Sequence, residues 1–356
     1  MGYLAPLLTP FLVAFGAALL LTPACRLAAM TLGVVDQPGD KKIHGQPTPL
    51  LGGVAIAIAQ VAGVLAGGPV DRIWLSIPVA AGLILLLGIY DDLDPHAEGI
   101  RWWLRLIFEG FLAAIVINAG ITINFLGTPW LSIPITLLWI VGITNAFNLL
   151  DNMNGLSAGV AAIAGLTFAA MAARYVEVGP EQLPTVRAGA ALAGACLGFL
   201  PWNFRSRIFM GDAGSLFLGF SLACLAALGS WRSPTLPTSL VIPLLVLAYP
   251  IFDTTLVVIL RLRRGQSPVV GGRDHSSHRL VKLGLGRVEV VLLIYLFSLS
   301  QALTALLVSS VTLRLSLLAL LGSASVLFIF GMVLRKAPAW GVGASKEGPS
   351  RGQEAG

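Results

Sequence analysis

Eleven apolar runs divide this chain, and each approaches the ~20 residues that a helix needs to cross the hydrocarbon of a bilayer. They cover about Leu4 to Met30, Leu50 to Ala66, Ile73 to Ile89, Trp102 to Gly120, Leu131 to Phe147, Leu156 to Ala173, Val186 to Trp202, Ser215 to Ser230, Leu240 to Leu260, Val288 to Ser310 and Leu315 to Leu334. Hydrocarbon offers backbone N–H and C=O groups no partner, so repeated runs of this length leave the helix as the spanning structure. Composition agrees, with 56% hydrophobic and only 11% charged residues, where soluble domains carry roughly a quarter charged. The expectation is an all-α polytopic integral membrane protein with eleven transmembrane helices, ten being the alternative count. The first run is too long for a signal peptide and lacks its basic start and small-residue cleavage site, so it reads as a mature helix.

Charge sets the expected orientation, because basic residues crowd the cytoplasmic loops. With the N-terminus outside and the C-terminus cytoplasmic, eighteen of the 23 Lys and Arg residues fall inside. Arg72, Arg174, Arg187, Arg232 and Arg314 remain outside. The net charge of +6 is thereby explained by topology, and no nucleic-acid partner is indicated. Cys25, Cys196 and Cys224 all lie in apolar runs without CxxC spacing, which points to neither disulfides nor zinc. Residues 1–337 read as a single transmembrane domain with cytoplasmic loops at 31–49, 90–101, 145–155, 203–214 and 261–287, and residues 338–356 as a flexible cytoplasmic tail.

Every polar motif falls on that one face. NAFNLLDNMNGL, from Asn145 to Leu156, packs Asn and Asp side chains against a membrane boundary. Such groups lose several kcal/mol each if left without a polar partner. Tyr90-Asp91-Asp92 ends an apolar run with adjacent carboxylates, which repel unless a cation or proton relieves them; a plain acidic helix end is the competing reading. Asp212, in FMGDAGS, lies in a Gly-flanked turn ahead of a helix whose start offers free N–H groups to an anion. Oxygen ligands from Asp and Asn suit Mg²⁺, with phosphates completing the shell, and Asn148 and Asp212 pair as candidate ligands. In the loop RLRRGQSPVVGGRDHSSHRLVKLGLGR, Arg261, Arg263 and Arg264 read as positive-inside charge. Arg273, His275, His278 and Arg279 recur at about one helical turn and suit a diphosphate and a sugar.

The ordered set PTPLLGG, YDD, NAFNLLDNMNGL, FMGDAGS, YPIFDT and RDHSSHRL, between Val35 and Leu283, resembles the polyprenyl-phosphate N-acetylhexosamine-1-phosphate transferase superfamily, glycosyltransferase family 4. Within it the chain is similar to the WecA/TagO-like branch, related to MraY. It departs from that branch at Ser276 and Ser277, where a further His is common, and it lacks the triple histidine of muramoyl-pentapeptide enzymes.

The resemblance implies transfer of a sugar-1-phosphate, N-acetylglucosamine-1-phosphate by default, from a UDP-N-acetylhexosamine to undecaprenyl or another polyprenyl phosphate, releasing UMP. It implies Mg²⁺ as cofactor, with Mn²⁺ as the substitute ion, and a multi-pass protein of the bacterial inner membrane in contact with lipids. Relatives often dimerise, so a homodimer is also an expectation. Asp91 and Asp92 correspond to the aspartate pair at the carrier-phosphate end, and Asn148 and Asp212 to the metal ligands. Asp212 or one of that pair becomes a nucleophile if the reaction runs in two steps, whereas a single displacement needs none. Asp151, Asn152 and Asn154 fall where the family contacts uridine, with Lys41, Lys42 and His44 beside the nucleotide. Arg101 and Arg105 suit the carrier phosphate. Arg273, His275, His278 and Arg279 suit the sugar and diphosphate. Two alternatives stay open: a phospho-MurNAc-pentapeptide transferase, and a lipid flippase without chemistry, which the one-sided motif set opposes.

Overall fold

The computed structural model describes residues 4–37, 47–69, 72–93, 100–123, 128–174, 176, 180–229, 231, 240–267, 272 and 274–337. Lys41, Lys42, His44, Arg273 and the tail from Pro338 lie outside the described residues. The helices are α1 (Leu4–Leu32), α2 (Gly52–Ala66), α3 (Arg72–Asp92), α4 (Trp102–Asn118), α5 (Pro129–Leu150), α6 (Leu156–Ala173), α7 (Leu183–Asn203) and α8 (Gly211–Leu228). The remainder are α9 (Val241–Val246), α10 (Ala248–Arg263), α11 (Ser276–Lys282), α12 (Arg287–Val308) and α13 (Leu313–Arg335). Eight of these are long and apolar enough to cross a membrane, and α2, at 15 residues, is a shorter apolar helix.

Each apolar run is helical, with two departures from expectation. The ninth run breaks at Leu247 into α9 and α10, because Pro250 has no N–H to donate to the Val246 carbonyl and its ring crowds that oxygen. The loop after α10 contains a short helix of its own, α11.

Helix α8 lies at the centre of the bundle, packed by α3, α5 and α2, while α7 packs between α1 and α6. Nearly all of α8 is buried, whereas α13 shows most of its surface outward, as a lipid-facing helix does. Close approach to α8 depends on missing side chains. A Cβ on Gly53 would meet the Gly214 backbone at 2.3 Å, and one on Gly88 would meet Ala213 at 2.4 Å. Small residues at such crossings let helices pack without a hydrophobic drive between them.

A two-stranded antiparallel ribbon, β1 (Val35–Asp36) with β2 (Thr48–Pro49), closes the same end of the bundle, pairing Val35 with Pro49. Phe209 N–H donates to the Pro49 carbonyl at 2.8 Å, and the Gly52 and Gly53 amides donate to Phe209 and Met210 at 3.0 Å each. PTPLLGG and FMGDAGS are thus stitched together through their backbones.

Candidate active site

The ends of α3, α5 and α7 meet the starts of α4, α6 and α8. The acidic and amide residues collect there. Asp212 sits in the first turn of α8, which begins at Gly211 and so earlier than its apolar run implied. Asn148 lies on the last turns of α5 and donates from Nδ2 to Asp212 Oδ1 at 2.9 Å and to Ser215 Oγ at 3.0 Å.

One cation holds the group together. The guanidinium of Arg105, on α4, reaches Asp212 Oδ2 at 3.3 Å and Asp91 Oδ2 at 3.7 Å, and donates to Asn148 Oδ1. Its Nε lies 3.3 Å from the buried Glu109, one turn along the same helix. Asn145 Nδ2 donates to the other Glu109 oxygen and to the Val141 carbonyl. Glu109 and Asn145 have no role in the motif reading. Here they form a bracket that fixes the stem side of Arg105, so its Nη atoms face the acids.

The aspartate pair divides its work. Asp91 Oδ1 accepts the Ile100 N–H at 2.6 Å, while its other oxygen faces Arg105. Asp92 accepts the Asp212 and Ala213 N–H groups at 2.8 and 3.1 Å. The helix start expected to offer free N–H groups to an anion gives them to the Asp92 carboxylate, a favourable place for one. In this geometry Asp92 positions α8, and Asp91 is the carboxylate that faces the cluster.

The turn between α5 and α6 carries the next set. Gly155 adopts φ +80°, which a side chain would strain, and a Cβ there would also strike the Phe204 ring at 2.4 Å. Asn203 Oδ1 accepts the Gly155 N–H at 2.6 Å, and Asn154 Nδ2 donates to Ser206 Oγ at 2.6 Å. Asp151 ends α5. Burial first, and then the negative charge of Asp212, push its carboxyl up to about 7.

Helix α11 closes the site from the other side. Asp253, buried on α10, lies 2.8 Å from His275 Nδ1 and accepts the Ser276 N–H and Oγ at 2.7 and 2.6 Å. Tyr249 OH meets the same Ser276 hydroxyl at 2.8 Å. Ser277 Oγ donates to Asn152 Oδ1 at 2.7 Å, joining the RDHSSHRL segment to the Asn-rich turn.

Several expectations change in this frame. Arg279 is buried, with Nε on the Asp274 carbonyl and Nη1 on the Leu334 carbonyl, both at 3.2 Å. It braces α11 against α13 instead of facing a diphosphate. Arg261 and Arg264, read as positive-inside charge, reach Asp274 at 3.4 and 2.9 Å. Burial alone would raise the Asp274 carboxyl, but hydrogen bonds from Arg264 and Arg261 hold it below the ordinary carboxylate range. His278 is half-buried beside His275, with ring centroids 6.4 Å apart. Arg101 is exposed at the start of α4. Asp253 and Asn145 lie in the motifs YPIFDT and NAFNLLDNMNGL without a role assigned to them, and Glu109 was visible only as an acid inside an apolar run.

A carboxylate, amide and arginine cluster at one end of a largely helical bundle with eight candidate spans defines a multi-pass membrane protein with a polar site. The model of glycosyl transferase family 4 matches residues 74–230. A probable undecaprenyl-phosphate N-acetylglucosaminyl 1-phosphate transferase of Bacillus subtilis is 38% identical over 318 residues, covering 86% of each chain. A decaprenyl-phosphate N-acetylglucosaminephosphotransferase of Mycolicibacterium smegmatis is 32% identical, over 76% of this chain and 74% of its own. An undecaprenyl-phosphate alpha-N-acetylglucosaminyl 1-phosphate transferase of Yersinia pestis is 27% identical over 76% of each. The chain belongs to glycosyl transferase family 4.

Proposed function

We propose that the protein transfers N-acetylglucosamine-1-phosphate from the UDP-sugar to a polyprenyl phosphate, releasing UMP, on the cytoplasmic side of a bacterial membrane. The observation that carries the reading is the convergence of Asp91, Asn148 and Asp212 around Arg105, in a chain similar to named transferases over most of its length. The carrier phosphate oxygen attacks the β-phosphorus; that P–O bond forms as the bond from β-phosphorus to the UMP oxygen breaks. Anions are brought together in this step, so cationic and hydrogen-bonding groups must offset their repulsion.

The donor set fits Mg²⁺. Asp212 offers hard oxygens, the Asn148 amide beside it offers one more once rotated from the Nδ2-to-Asp212 contact, and the site already gathers a cation, the Arg105 guanidinium. Among the described residues no three His, Cys, Asp or Glu side chains form a metal cage. A shell completed by phosphate oxygens and water matches what this ion prefers. When bound it supplies charge neutralisation to the reacting phosphates and the leaving UMP. Arg105 is then the side chain best placed to orient the carrier phosphate, held by Glu109 and Asn145. Asp151, Asn152 and Asn154 line the turn assigned to uridine, and His275 and His278 the sugar side. In this reading the transfer is a direct displacement, with no aspartyl-phosphate intermediate.

The test is UMP release by the purified protein with Mg²⁺, UDP-N-acetylglucosamine and undecaprenyl phosphate. Silence with every UDP-N-acetylhexosamine would overturn the reading. Accumulation of a phosphorylated enzyme without carrier would overturn direct displacement alone.

A further inference from the structure

At the opposite end of the bundle a cavity of about 400 Å³ lies between α2, α3, α7 and α8, within the roughly 300–1,000 Å³ of ordinary ligand sites. Its α3 wall runs from Trp74 to Ala81, so it starts 11 to 18 residues before Asp92, roughly 16 to 27 Å of helix rise away. It is therefore separate from the catalytic cluster and near the other membrane surface. Most of the lining is apolar, and Val61, Leu75 and Val79 at its side are 40%, 57% and 53% exposed. The opening is an apolar one, facing where lipid chains run.

Three polar side chains break that lining, Ser221 on α8, Arg187 and Gln60. Arg187, on α7, lies at the rim with Nη1 donating to the Pro69 carbonyl at 3.1 Å. Its Nε is buried and has no hydrogen-bond partner among the described residues. Nε and Nη2 form the edge of a guanidinium that takes a phosphate in two parallel hydrogen bonds, and Nε on that edge is the unpartnered atom. The backbone is shaped to hold it: a Cβ on Gly67 or on Gly68, which adopts φ +123°, would lie 2.9 Å from the Arg187 side chain. Deeper in, Gln60 is only 8% exposed, and its Oε1 is buried without a partner. A dry amide left unsatisfied costs about 1–3 kcal/mol, so the cavity is incomplete without an occupant that hydrogen-bonds.

We propose that this cavity binds one anionic glycerophospholipid, with its phosphate on the Nε–Nη2 edge of Arg187 and one acyl chain in the apolar space. Rotated half a turn, the Gln60 amide presents its NH₂ to an ester carbonyl of the same molecule. The positive rim selects against zwitterionic lipids, whose own cation competes for the phosphate. The site supports the bundle at the end remote from chemistry and takes no part in the transfer.

The experiment is native mass spectrometry of the full-length protein released from nanodiscs of equimolar phosphatidylglycerol and phosphatidylcholine. The wild type is expected to retain one phosphatidylglycerol in preference by about tenfold or more, the range set by a pair of hydrogen bonds to a charged group. Arg187→Gln is expected to hold both lipids equally. Val61→Trp, which fills the cavity from its exposed side, is expected to lose bound lipid of either kind with UMP release unchanged; it decides the matter if Arg187→Gln does not fold. Equal retention of both lipids by the wild type, no retained lipid, a preference that survives Arg187→Gln, a phospholipid that survives Val61→Trp, or polyprenyl phosphate as the retained species would each overturn the proposal.

Discussion

Asp253→Asn tests whether the buried carboxylate on α10 sets the geometry of α11, the helix proposed to face the sugar. Asp253 is 1% exposed and serves three groups: His275 Nδ1 at 2.8 Å, the Ser276 amide at 2.7 Å and the Ser276 hydroxyl at 2.6 Å. An ionised carboxylate has no donor, so Nδ1 carries a proton, and in the neutral ring Nε2 is left to accept. Asparagine keeps one oxygen. If that oxygen stays with Ser276, the NH₂ faces His275, the imidazole proton moves to Nε2, and the ring presents a donor where it presented an acceptor. At least one hydrogen bond to a charged group is lost, about 1.5–3 kcal/mol, or roughly 10- to 150-fold in an equilibrium. Because α11 also carries His278 and the Ser277 contact to Asn152, the loss is expected in kcat/KM for the UDP-sugar, with a smaller effect on the KM for carrier lipid. UMP release at low UDP-sugar, beside thermal unfolding of the same preparation, reads both consequences. Asp253→Leu, which leaves the His275 and Ser276 donors buried with nothing to accept them, is expected to unfold well before the Asn variant. If Asp253→Asn stays within threefold of wild type in kcat/KM, the carboxylate does not position His275 for the reaction.

Gly88→Ala places a methyl group 2.4 Å from Ala213, so it is expected to lower stability by about 1–3 kcal/mol and to loosen the Asp92 cap on α8; unchanged Tm would refute this contact. Asp212→Ala is expected to abolish UMP release and to weaken Mn²⁺ binding measured by electron paramagnetic resonance, while the melting curve remains cooperative. The Asp151 carboxyl is raised to about 7 from an unfolded value near 4, so the folded state binds its proton more tightly and this group costs stability as pH rises between those values. Asp151→Asn should accordingly raise Tm at pH 8 and leave it unchanged at pH 4. The Asp274 carboxyl is lowered, so its contribution is present above the unfolded value near 4 and is lost as pH falls through the folded one. Asp274→Asn should lower Tm at pH 7 and flatten the acid limb of the stability profile.

Which end of the bundle holds the site was legible from the sequence because helix direction alternates. Motifs at the end of α3, the start of α4, the end of α5 and the start of α8 must share a face if the runs between them are continuous helices, and Asp91, Arg105, Asn148 and Asp212 do meet. Partners within that face were another matter. They depend on how each helix is rotated about its axis, and a helix that is apolar on every side carries almost no periodic signal of rotation. That is why Glu109 and Asn145, 36 positions apart, could not be paired in advance, and why Arg279 was expected at the substrate when it reaches the Leu334 carbonyl instead. The break at Leu247 was hidden as well, since prolines also lie inside the unbroken α1, α3, α5 and α7.

Small residues supply some of the missing rotation. Gly88 is the position on α3 where the Ala213 backbone comes closest, and residues four apart share a helix face. Asp92 lies four residues beyond Gly88, so the contact that needs a glycine also points Asp92 at the first turn of α8. There it accepts the Asp212 and Ala213 amides. The second carboxylate of the pair is therefore fixed by packing before any substrate arrives. Its neighbour Asp91, a helix rotation of about 100° away, is carried round toward Arg105. Adjacent acids at a helix end acquire different duties through that rotation, which makes the glycine one turn earlier as informative about the site as the acids themselves.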